Sequence, residues 1–94
     1  MALARVVSFD GVSSDRIAEL TGRMRDEDPP EGLEATELLL LHDPEGEQAL
    51  AIVFFDDEDA YARGDAVLGA MPADDTPGRR SSVAKYEVAH RATT

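Results

Sequence analysis

An α+β fold in the order strand, helix, strand, strand, helix, strand is predicted by three features of this 94-residue chain. Leu38 to Leu41 and Ala49 to Phe55 are apolar without interruption. A strand with one solvated face alternates apolar and polar residues, so unbroken runs of this length mark strands covered on both faces. Between the two runs, Asp43-Pro44-Glu45-Gly46-Glu47 has the turn chemistry of a hairpin. On either side of this hairpin lies a segment with apolar residues at helical spacing that ends at proline.

Each element has its own local warrant. Leu3 to Phe9 is β-branched and stops at the turn pair Asp10-Gly11, which predicts the first strand. Ser13 is a good helix N-cap, Asp15 is a first-turn acid, and Val12 and Ile17 are spaced as a hydrophobic staple. Ile17, Leu20 and Met24 give that helix an apolar stripe, and Pro29-Pro30 closes it. The acidic run Asp56 to Asp59 opens a second helix, since negative charge at a helix start is stabilising by about 0.3 to 1 kcal/mol. Tyr61, Gly64, Leu68 and Met71 share one face of it, and Pro72 stops it. Gly64 and Gly69 read as weak helix formers, each costing about 1 kcal/mol against alanine. Ala73 to Arg80 reads as a polar loop and Ser82 to Arg91 as the last strand, with Ala84, Tyr86, Val88 and His90 on one face and Lys85, Glu87 and Arg91 on the other.

This order is the split β-α-β of ferredoxin-like folds, a four-stranded antiparallel sheet with two helices on one face, and residues 1–94 form a single domain. Two helices cannot cover both faces of such a sheet. The open face therefore needs an apolar partner, and the same face of a second copy in a twofold homodimer is the economical one. A domain of this size buries only about 60 to 65% of its unfolded surface, so it gains much from association.

Composition limits the partners. The net charge of −11 repels phosphate backbones and anionic lipid surfaces, so neither nucleic acid nor membrane is an expected partner. No stretch reaches the roughly 18 apolar residues of a membrane span, and the N-terminus lacks the apolar region of a signal peptide. The absence of cysteine removes disulfides and thiolate chemistry, which fits a soluble cytoplasmic protein.

With ARVVSFDG opening the first strand, LLLLHDPEGEQALAIVFF followed directly by DDEDA, and VAKYEVAHR closing, the chain resembles the dimeric α+β barrel superfamily. Within it, the resemblance is to the small proteins grouped with the antibiotic biosynthesis monooxygenases. It implies that the sheets of two subunits pack into a barrel, with a pocket between helices and sheet. It also implies cofactor-free oxygenation or isomerisation of a phenolic or polyketide-like molecule. The chain departs from the family where relatives carry a tryptophan near the end of the third strand: Phe54 and Phe55 stand there. The asparagine and second-helix histidine of haem-degrading relatives have no counterpart, since the chain has no asparagine and no histidine between Asp56 and Pro72. Haem degradation is disfavoured, and no cofactor is expected.

Deprotonating a phenol needs a base, hydrogen-bond partners and a dry pocket. His42 and His90 are the candidate bases, and Tyr61 and Tyr86 the candidate hydrogen-bond partners of a small apolar or aromatic ligand. Histidines near charged residues at strand ends are usually solvated, and amphipathic tyrosines usually sit at domain or dimer edges. No catalytic residue is assigned. Two histidines without a spaced third ligand make no metal site, and Arg79-Arg80 reads as charge compensation before it reads as an anion clamp. The alternative to an enzyme is a non-catalytic ligand-binding or structural dimer.

Overall fold

A computed structural model describes residues 1–27, 32–71 and 76–92. The elements are β1 (Leu3–Asp10), α1 (Ser14–Asp26), β2 (Glu37–Asp43), β3 (Gln48–Phe55), α2 (Glu58–Gly69) and β4 (Arg79–Glu87). All strand pairs are antiparallel and the sheet order is β2-β3-β1-β4, the ferredoxin-like arrangement expected. The prolines expected to end the helices lie outside the described residues.

Strand register separates the two faces of the sheet. Leu3, Arg5, Val7 and Phe9 of β1 pair with Phe55, Val53, Ala51 and Ala49 of β3, and these side chains face the helices. They form two clusters. Leu3, Val53 and Phe55 pack with Ala60 and Tyr61 of α2, while Val7, Phe9 and Ala49 pack with Val12 and, from α1, Ile17. The opposite face carries Val6 and Ser8 of β1, Leu50, Ile52 and Phe54 of β3, Leu39 and Leu41 of β2, and Ala84 and Tyr86 of β4.

Helix starts follow the sequence closely. Ser13 caps α1 by accepting the Arg16 N–H at 3.1 Å, and Asp57 caps α2 by accepting the Ala60 N–H at 2.8 Å. Val12 is fully buried and Ile17 packs on the same cluster, as a staple should. The stripe of α1 ends early: Leu20 is buried but Met24 is 47% exposed.

Other details differ from the sequence reading. Gly64 is a packing requirement and not merely a weak helix former, because a β-carbon there would overlap the Phe55 ring; Gly69 has open space around it. The β4 strand begins at Arg79, in what reads as loop, because a bulge between Ser8 and Phe9 pairings absorbs one residue and prolongs the ladder. It ends at Glu87, with one further backbone bond from the Val88 N–H to Ala2. Beyond that point strand alternation no longer governs. Arg91 therefore lies 4.2 Å over the Phe54 ring and pairs with Glu37, on the open face and not with Lys85 and Glu87. In the hairpin, Asp43 Oδ1 accepts the Glu45 and Gly46 N–H groups, and Glu47 takes the left-handed conformation at φ 51°. Among the described residues no helix is long and apolar enough to cross a membrane.

Candidate functional site

The open sheet face presents apolar side chains to solvent. Leu39 and Leu41 are 39% and 48% exposed, and Leu50 and Tyr86 stand exposed on the same surface. The run in β3 thus has one side in the core and the other on the open face, whereas in β2 Leu38 is 39% exposed even on the helix side, so neither run is covered on both faces within the chain. At one end of this face lies an open cleft of about 490 Å³, lined by Ser8, Asp10, Leu41, His42, Asp43, Gln48, Leu50, Ser81 and Ser82 among others, so that His42 alone of the four candidate residues borders it. Its walls mix leucine side chains with hydroxyl, amide, imidazole and carboxylate groups. A second open cleft, about 600 Å³, lies between α1 and residues 76–78. Its Arg16 is engaged by Glu19 at 2.9 Å and by the Thr76 carbonyl at 2.8 Å.

On the helix side, a polar cluster sits where α2 meets β1 and β4. Arg5 is only 4% exposed, placed by strand alternation between the two apolar clusters. Its Nε donates to Asp65 Oδ1 at 2.8 Å. Burying a guanidinium without full pairing is costly, so the position marks a constraint beyond packing. Next to it in register, Lys85 of β4 pairs with Glu58 at 2.6 Å and holds its Nζ 4.9 Å from the Tyr61 ring centre. Tyr61 meets Phe55 edge to face, ring centres 5.4 Å apart. Burial, and then the Asp65 carboxylate, push the Tyr61 phenol above its ordinary range despite the opposing Arg5 and Lys85 charges. The Glu58 hydrogen bond raises the Lys85 ammonium as well. The cluster sets one phenol among two basic and two acidic side chains.

The residues expected to line one pocket are distributed over the molecule. His42 points to the helix side and hydrogen-bonds through Nε2 with the Val12 carbonyl at 2.9 Å, so this nitrogen carries the proton. Tyr61 belongs to the polar cluster. Tyr86 is 57% exposed on the open face, paired with Ala4 at the end of the sheet away from the 490 Å³ cleft. His90 is exposed in the segment after β4. No three histidine, aspartate or glutamate side chains among the described residues come together as metal ligands. Arg5 was not singled out by composition. Its signal is a lone cation in phase with Leu3, Val7 and Phe9, a charge at a core position.

No family model and no curated protein matches the chain. Function therefore has to be argued from these two surfaces.

Proposed function

We propose that the chain acts as a homodimer paired through its open sheet face, enclosing a small molecule between the sheets, and that its role is binding and not turnover. The observation that carries this reading is the row of Leu39, Leu41, Leu50 and Ile52 on the face opposite the helices. Each large aliphatic side chain removed from water contributes about 1.5 to 3 kcal/mol, so a second copy seated there gains substantially. A bare sheet of this composition would also invite unspecific association. Pairing would roof the 490 Å³ cleft, which already exceeds the roughly 300 Å³ lower end of ligand sites. An apolar or phenolic ring with one or two polar substituents matches leucine walls interrupted by Ser8, Asp10 and Gln48.

Binding is favoured over oxygenation because the imidazole and phenol groups that would divide base and hydrogen-bond duties do not converge. His42 Nε2 is committed to Val12 and Tyr61 lies on the other side of the sheet. Membership of the dimeric α+β barrel superfamily, and a cytoplasmic setting for a cysteine-free chain, belong to the same proposal. Thermal-shift screening against phenolic, quinone and fatty-acid libraries tests the ligand. A hit at about 100 times its dissociation constant should stabilise the native state by roughly 2.7 kcal/mol. No shift with any of them would reduce the reading to a structural dimer.

A further inference from the structure

Arg5 keeps most of its hydrogen-bonding capacity unused. The side chain is only 5% exposed, yet among the described residues its one partner is Asp65, through Nε, and neither Nη group donates to an acceptor. Among the described residues, no side-chain nitrogen that is wholly sealed from solvent lacks a partner. Neither Nη group of Arg5 is therefore wholly sealed from solvent. Around it at the seam of α2 and β4, Asp65 is half exposed, Lys85 borders Arg5 in register, and the helix side of β4 continues to Val83, which is 45% exposed. A buried guanidinium with an unpaired fork is costly to maintain for packing alone.

We propose that Arg5 receives the carboxylate of a small monoanionic organic acid at the seam between α2 and β4. The planar fork of its two Nη groups matches two carboxylate oxygens bidentately, a geometry that a lysine cannot supply. A single negative charge fits because Asp65 and Glu58 already pair with Arg5 and Lys85 there and would repel a dianion. Exposed Val83, on the helix side of β4, offers the acid's body an apolar neighbour. With a chain charge of −11, long-range steering does not favour an anion, so recognition rests on these short contacts. The site is on the face opposite the dimer cleft and is independent of it.

The test titrates the full chain with benzoate while following arginine Nε–H resonances by NMR, with benzyl alcohol as the neutral isostere and inorganic phosphate as the alternative anion. Benzoate is expected to shift the Arg5 resonance well beyond those of the exposed Arg25 and Arg79, with benzyl alcohol and phosphate leaving it in place. Arg5→Lys should weaken benzoate by about tenfold or more, the loss of a charge-assisted bond. If that variant does not fold, the wild-type titration decides alone. An unmoved Arg5 resonance, an equal response to benzyl alcohol, a response to phosphate only, or equal shifts at Arg25 and Arg79 would each overturn the proposal. None of these outcomes bears on sheet pairing, which is read from mass.

Discussion

His42 Nε2 donates to the Val12 carbonyl at 2.9 Å, tying the end of β2 to the residue that enters α1. The same junction is held by the Val12 N–H, which donates to the Glu47 carbonyl at 2.7 Å. His42 is thus a fastener between hairpin and helix. His42→Ala should lower stability by about 0.5 to 1.5 kcal/mol, the net worth of one hydrogen bond. Urea denaturation measures it. An unchanged midpoint would mean that the tie contributes nothing.

Gly64 and Gly69 should respond oppositely to alanine. At Gly64 the added methyl meets the Phe55 ring, and overpacking of about 1 to 3 kcal/mol outweighs the gain of about 1 kcal/mol in helix propensity. At Gly69 nothing lies within reach and only the propensity gain remains, smaller at this last helical position. Thermal melts of the two variants should move in opposite directions. A Gly64→Ala protein as stable as the parent would show that Phe55 can step aside.

Tyr61 carries a pH signature. Because its folded pKa is raised above the ordinary value of about 10, the protonated phenol is favoured in the folded state. The stability this contributes is fully present below the unfolded pKa and is lost as pH rises through the folded one. Tyr86→Phe leaves Tyr61 as the only tyrosine, so tyrosinate absorbance then reports it alone. Titration should occur later than in a denatured control. Coincident curves would place the phenol in water.

The parts of the fold legible in sequence were those written locally. Ser13 and the acidic run around Asp57 signal their helix starts within a few residues, and the apolar runs mark β2 and β3 as strands before any register is known. Gly64 looked like weak propensity because its reason, the Phe55 ring, lies in another element. Arg5 and Asp65 are 60 residues apart, a pairing that no local pattern encodes. The β1/β4 register shift is equally invisible, since a bulge is a choice made by two strands together. Strand alternation does not place Arg91, because the ladder stops at Glu87.

Leu39 and Leu40 are neighbours with opposite fates. Leu39 faces the open side, whereas Leu40 packs on the cluster of Val7, Phe9 and Val12. Leu40→Asp should destabilise the subunit itself by about 2 kcal/mol or more, through lost packing and a carboxylate in the core. Leu39→Asp should leave secondary structure intact. Circular dichroism melts of the two variants separate core from surface, and equal damage from both would contradict the assignment of faces.

The central claim is that the open face is closed by a second copy. Sedimentation equilibrium of the wild-type chain at micromolar concentration tests it most directly, with Leu39→Asp run in parallel. The account predicts twice the 10.1 kDa chain mass for the wild type and a folded single-chain mass for the variant. A wild-type protein that is soluble, folded and monomeric, or a Leu39→Asp protein that remains dimeric, would contradict it.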